Sequence, residues 1–299
     1  MIPTHNLLSY IHHDLLGHVP RPGFHGSGSA NSLVTIDADG LQFGGEDPIS
    51  SDHTILAVGD SYTYGEEVND TETWPAQLQR LTGRRVLNAG VSGYGLDQIV
   101  LRAEQLSLLH RPSVIIVSFI ADDVMRTEMR RLWWRDKPWF AIEADQLMLR
   151  GVPVPDRTRL PFHIRHRTEQ VLIKLPRFLQ LLLGYHARAH PAGLGLAIVQ
   201  QLTKRLARLQ AENHVRVVVM AQYSPAAWIV TAFANEEVRL SRAVLGCAAA
   251  SEFATLDTFQ RLATEPKQHR LYASSHMNAR GNLMIASLLA ATLPALLAA

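Results

Sequence analysis

From residue 53 onward the chain alternates between two hydrophobic patterns. Short, nearly unbroken apolar runs predict strands at 54–58, 85–88, 113–120 and 216–221, with a short one near 253–256. Between them, amphipathic stretches of helical period predict helices near 74–82, 97–110, 192–213 and 235–250, and a terminal helix at 279–297. Thr73 is placed to cap the first of these, with Pro75 in its first turn. The run Ser113–Ile120 is almost wholly apolar, as expected of a strand covered on both faces. Strands separated by helices predict an α/β fold around a parallel sheet with right-handed crossovers.

Two stretches break that rhythm. Residues 1–52 are irregular and read as a lead-in over the edge or mouth of the main domain. They carry a short amphipathic segment (Leu7, Leu8, Ile11, Leu15, Leu16), a Gly/Ser stretch, and a hairpin of 34–36 with 41–43 around Asp37-Ala38-Asp39-Gly40. Residues 125–190 form an insertion after the third strand. In it Trp133, Trp134, Trp139 and Phe140 precede a hairpin of 141–143 with 147–149, followed by a proline-rich run and a helix near 168–184. An insertion there emerges beside the carboxyl ends of the strands, where ligands bind in open parallel sheets. It reads as a lid or substrate wall, or its tryptophans pack a small core of their own. One domain spanning 1–299, with lead-in and insertion, fits the pattern better than two.

Composition narrows the function classes. With 47% hydrophobic and 19% charged residues the chain is globular. A formal net charge of +2 gives no basic field for nucleic acid. The single cysteine, Cys247, excludes an internal disulfide and a cysteine-based zinc site, and its small apolar neighbours predict a buried helical position. The pairs His12/His13, His163/His166 and His186/His190 have metal-like spacing but no cysteine support, so no metal or other cofactor is expected. Without a signal-peptide pattern or an 18-residue apolar run, the expectation is a cytoplasmic protein with no membrane partner. Oligomeric state is not legible.

Three blocks carry candidate chemistry. Gly59-Asp60-Ser61 follows the first strand, so Ser61 sits at a strand-to-loop turn with its hydroxyl presented. Asn88-Ala89-Gly90-Val91-Ser92-Gly93-Tyr94-Gly95 follows the second; its glycines let backbone approach a ligand, or serve only a strand-to-helix connection. Its Gly-x-x-Gly-x-Gly spacing, with no lysine after it, is neither a dinucleotide nor a P-loop motif. His276-Met277-Asn278-Ala279-Arg280-Gly281 opens the terminal helix, where a histidine can be held at the rim of the sheet as a general base.

Together these blocks resemble the SGNH/GDSL hydrolase superfamily, most of all a bacterial subgroup, over residues 53–125 and 270–290. The resemblance implies a flavodoxin-like three-layer α/β/α sandwich that presents Ser61 as nucleophile. It implies His276 as base, and an oxyanion hole built from the N–H groups of Ser61 and Gly90 with the residue at Asp122. The implied activity is a serine esterase or acyl transferase acting on a small-molecule acyl ester.

Two positions depart from the pattern. Where the family has an asparagine that donates to the oxyanion, this chain has Asp122, an acceptor when ionised. Where the family has an aspartate two or three residues before the histidine, this chain has Ser274 and Ala273, and no Asp or Glu follows Glu265. His276 must then be oriented by a backbone carbonyl, by Ser274 or Ser275, or by a distant carboxylate such as Asp257 or Asp122. The departures leave two alternatives open: a binding or regulatory protein that keeps the fold with impaired chemistry, and a specialised non-esterase activity that uses Asp122.

Overall fold

The computed structural model describes residues 9–45, 50–132, 135–156, 177–182, 187–229 and 231–298. Its centre is a sheet of five parallel strands: β1 (Ser50–Val58), β2 (Arg84–Asn88), β3 (Val114–Phe119), β4 (Arg216–Ala221) and β5 (Ala254–Asp257). Their spatial order is β5-β4-β3-β1-β2. Ile55 of β1 lies opposite Val86 of β2 on one side and Val114 of β3 on the other. The chain thus leaves β1 in one direction for β2 and returns past it for β3. That reversal opens a crevice beyond the carboxyl ends of β1 and β3, the usual ligand position in such sheets.

The sheet is sandwiched because its strands are apolar on both faces. Ile55–Val58, Val114–Val117 and Val217–Ala221 are buried without a break. Seven helices are used below: α1 (Ser61–Tyr64), α2 (Trp74–Thr82), α3 (Leu96–His110), α4 (Ala121–Arg126), α5 (Gly195–Asn213), α6 (Thr231–Ala250) and α7 (Ala279–Ala298). α2 and α7 pack together as one layer, and α3, α5 and α6 pack in succession as the other. This is the expected α/β/α sandwich, with strand and helix ends within a few residues of those the pattern predicts.

α7 has the length and apolar composition of a membrane span. One of its faces, including Ile285, Ala286, Leu289 and Leu293, is buried in the fold. Asn282 anchors its first turn: its side chain accepts from Trp74 N at 2.9 Å and donates to Met277 O at 3.0 Å. Cys247 lies in α6 as expected, but it is half-buried rather than fully enclosed.

The lead-in keeps the expected hairpin in short form and adds a second pairing. Ile36 bridges Gln42, with Asp37 N donating to Leu41 O at 2.8 Å and Phe43 N to Thr35 O at 2.9 Å, while Leu33–Thr35 also pairs with His25–Ser27. The hairpin's other edge meets the open edge of β2, where Gln42 N donates to Asn88 O at 2.9 Å. A second ribbon, Tyr10–His13 with Gly17–Pro20, carries the buried His18. Burial and nearby cationic side chains hold the His18 pKa down at about 3, so its imidazole stays neutral, and its Nε2 contacts Ser92 O at 3.1 Å.

In the insertion the hairpin is Trp139–Glu143 with Gln146–Arg150, turning at Ala144-Asp145, both with positive φ (48° and 60°). Its Phe140 is fully buried. Trp133, Trp134, His163, His166, His186 and most of the helix expected at 168–184 lie outside the described residues, although Arg177–Leu182 is helical. Two charged hubs hold the insertion's ends. Glu128 accepts from Gly193 N at 2.7 Å and Gly195 N at 2.9 Å and pairs with Arg188 at 2.5 Å. Lys137 Nζ reaches Asp97 at 2.5 Å and the carbonyls of Arg126 and Met129, each at 3.1 Å.

Candidate active site

The first strand delivers Ser61 to the crevice through a turn that tolerates almost no extra volume. A Cβ on Gly59 would lie 2.1 Å from Thr63 Oγ1 and 2.8 Å from Ser118 O, so the strand can run into the turn only with glycine here. Asp60 then caps α1, accepting from Tyr62 N at 2.9 Å. Ser61 is the first residue of that helix, where backbone N–H groups lack intrahelical acceptors. Among the described residues its N–H has no partner.

Fully buried Asp60 is in turn held from behind by Arg126, at 3.3 Å. The same guanidinium contacts Asp123 at 2.6 Å and Tyr94 O at 3.0 Å. Burial and the Asp60 charge push the Asp123 carboxyl up, against the pull of Arg126. Desolvation works against the Arg126 charge, but Asp123 and Asp60 outweigh it and strengthen its hold on its proton. The nucleophile turn therefore rests on a part-buried cation that Asp60 and the buried Asp123 share.

His276 comes to Ser61 from the loop before α7. An Ala273 N to His276 O bond of 2.9 Å and a Tyr272–Met277 bridge close that loop tightly. Tyr62 OH donates to Ser275 O at 2.8 Å, and the Tyr62 and His276 rings lie 5.3 Å apart. His276 Nε2 is 2.9 Å from Ser61 Oγ, a nucleophile–base contact within hydrogen-bond reach. Ser61 Oγ is also 3.2 Å from Asp60 Oδ2. Its one proton can serve only one of these acceptors at a time, and the Arg126 contact weakens Asp60 as the competitor.

The other ring nitrogen, Nδ1, faces Ser275 Oγ at 3.1 Å and Glu67 Oε1 at 3.7 Å. Glu67 also accepts from Ser274 N at 3.0 Å, from Ser275 Oγ and His276 N, each at 3.4 Å, and from the Ser274 hydroxyl. Burial pushes its pKa up, but the bonds from His276 and Ser274 and the imidazole's charge outweigh it and bring it down to about 2. Ser275 is among the groups expected behind His276; Asp257 and Asp122 are not there. Asp257 accepts from Tyr223 OH at 2.8 Å and Phe259 N at 2.9 Å, and Asp122 turns toward Arg126 at 4.0 Å. Sequence reasoning missed Glu67.

Residues 57–283 match the model of the GDSL-like lipase/acylhydrolase family, a span that runs from β1 through the His276 loop into α7. The chain belongs to that family. The family's general activity, acyl hydrolysis, is therefore the class to which this chain belongs. No curated protein matches it.

Similar solved structures include a putative lipolytic protein of the G-D-S-L family from Desulfitobacterium hafniense. It shares 15% identity over 80% of this chain and 99% of its own, with a TM-score of 0.48. An acetylxylan esterase from Geobacillus stearothermophilus, Axe2, matches at 15% identity over 82% of this chain and 95% of its own, with a TM-score of 0.46. The psychrotrophic esterase EstA from Pseudoalteromonas matches at 13% identity over 83% of this chain and its full length, 100%, with a TM-score of 0.46.

Two positions carried over from the GDSL pattern make other contacts in this structure. Gly90 N–H is already committed to Asn88 Oδ1 at 3.1 Å, so it is not a free oxyanion donor. Its glycine answers to packing: a Cβ there would lie 2.2 Å from Tyr64 N and 2.6 Å from Thr63 C, against the backbone of the nucleophile helix. Asp122 sits in the first turn of α4 with its side chain 60% exposed, and contacts neither Ser61 nor His276 among the described residues. It does not cap α4 either, since Asp123 takes that role by accepting from Ile120 N at 3.0 Å.

Proposed function

We propose that the protein is a serine-dependent acyl-ester hydrolase in which Ser61 attacks and His276 is the base. The 2.9 Å contact between Ser61 Oγ and His276 Nε2 carries this reading, because it joins residues 215 positions apart in the pairing that nucleophilic catalysis needs. Ser61 Oγ bonds to the acyl carbon while its proton passes to Nε2, and the carbonyl oxygen becomes an oxyanion beside the open N–H of Ser61. His276 returns the proton to the departing alkoxide, which leaves as the alcohol. Water then attacks the acyl-Ser61 ester, gives its proton to His276, and frees the acid as Ser61 recovers its proton.

Among the described residues the N–H of Ser61 is an open donor for the oxyanion, while Gly90 N–H donates to Asn88 Oδ1 and Asp122 is a carboxylate. A missing donor of this kind typically costs ~10²–10³ in rate, so slow turnover of simple esters is expected. That same feature favours a second reading, a binding protein that retains the scaffold without turnover. Replacing Ser61 separates them. S61A should lower hydrolysis of a small activated ester such as p-nitrophenyl acetate by at least ~10³-fold; equal turnover by wild type and S61A would remove Ser61 from the chemistry.

A further inference from the structure

We propose that Glu67 is the positioning carboxylate for His276, acting through the Ser275 hydroxyl and across the direct 3.7 Å gap. The proposal rests on the reading of Ser61 and His276 as nucleophile and base, and it gives the base an acid from the nucleophile's side of the chain. For His276 Nε2 to accept the Ser61 proton, the resting imidazole must carry its proton on Nδ1. That N–H needs an acceptor, and Ser275 Oγ stands 3.1 Å away. Ser275 can direct its own hydroxyl proton to Glu67 Oε1 at 3.4 Å, which fixes the direction of the whole chain of bonds from Ser61 to Glu67. When His276 becomes an imidazolium, the carboxylate at 3.7 Å stabilises the new charge.

The alternatives for this role are occupied. Asp257 is engaged by Tyr223 OH and Phe259 N, Asp122 leans toward Arg126, and Glu265, the last acid in the chain, pairs with Arg280. Glu67 is built into its place: its side chain is 12% exposed and its backbone has φ +71°, a left-handed conformation uncommon for residues other than glycine. Such a backbone persists where the surroundings over-determine it. Here they do so on two sides, because the preceding Glu66 accepts from Ser92 Oγ at 2.5 Å while Glu67 holds residues 274–276.

The test uses the full chain and the variants E67Q, E67D, S275A and S274A. E67Q should lower kcat on p-nitrophenyl acetate ~10²-fold or more with KM changed less than about threefold, and E67D should recover about tenfold of that loss. S275A should cost less than E67Q, because the carboxylate still faces Nδ1. S274A removes a contact that steadies Glu67 but lies outside the chain of bonds, and it should lower kcat clearly less than E67Q does, by about tenfold at most. By proton NMR, the downfield His276 Nδ1–H resonance should be present in wild type and S274A and absent in E67Q. Unchanged kcat in E67Q, retention of the resonance, or an equal loss in S274A would overturn the proposal. If wild type shows no Ser61-dependent turnover, the hydrolase reading fails, and the resonance still decides the role of Glu67. If E67Q does not fold, the contrast between S275A and S274A in kcat and resonance decides it.

Discussion

At the scale of single residues the site depends on where a few protons and charges can go. Ser61 Oγ has two acceptors within reach, and the cation behind Asp60 tilts the choice toward His276. Glu67 leaves a thermodynamic trace of its position. Its pKa falls from 4.5 to about 2 on folding, so the folded chain binds that proton less tightly than the unfolded one. The resulting stabilisation is complete above the unfolded value and is lost as pH falls from about 5 toward 2. Thermal unfolding should show wild type above E67Q at pH 7, with the gap narrowed near pH 3 and closed only below about pH 2; a constant gap would contradict the assigned ionisation. Glu67 was not legible in the sequence because it lies 209 residues from its partner and outside any motif spacing. The one available signal was the lack of an acid beside His276, which showed that a carboxylate was missing without showing from where it would come.

At the scale of elements, legibility followed the strength of the local pattern. The core strands and main helices were readable because each buried face imposes its own period. The pairing of Leu33–Thr35 with His25–Ser27 was not, since His25-Gly26-Ser27 lies in a Gly/Ser stretch that carries no strand pattern. Gly90 shows the same limit at the site. Its glycine was visible, but its reason is the nucleophile helix pressed against it rather than a donor aimed at substrate. G90A should therefore destabilise the fold by about 3 kcal/mol in urea unfolding, because backbone cannot give way as a side chain would. A stability loss below about 0.5 kcal/mol would contradict this close packing.

At the scale of the whole molecule, the insertion is tied to the catalytic end of the sheet rather than appended to it. Lys137 joins it to Asp97 at the start of α3 and to the carbonyl of Arg126, whose side chain supports Asp60. K137M strands Asp97 as a buried, unpaired carboxylate and should cost ~3–5 kcal/mol, and adding D97N should recover part of that loss. Equal stability of wild type and K137M would show that the tie is dispensable. Separately, Tyr62 on Ser275 and Glu67 on residues 274–276 bring Ser61 and His276 together from opposite ends of the chain. The most direct test of that claim is mass-spectrometric mapping of a fluorophosphonate adduct on the full chain. The account predicts a single adduct on Ser61, formed at least ~10²-fold more slowly in H276A. An unlabelled Ser61 in a protein that still hydrolyses esters, or equal labelling rates in wild type and H276A, would contradict it.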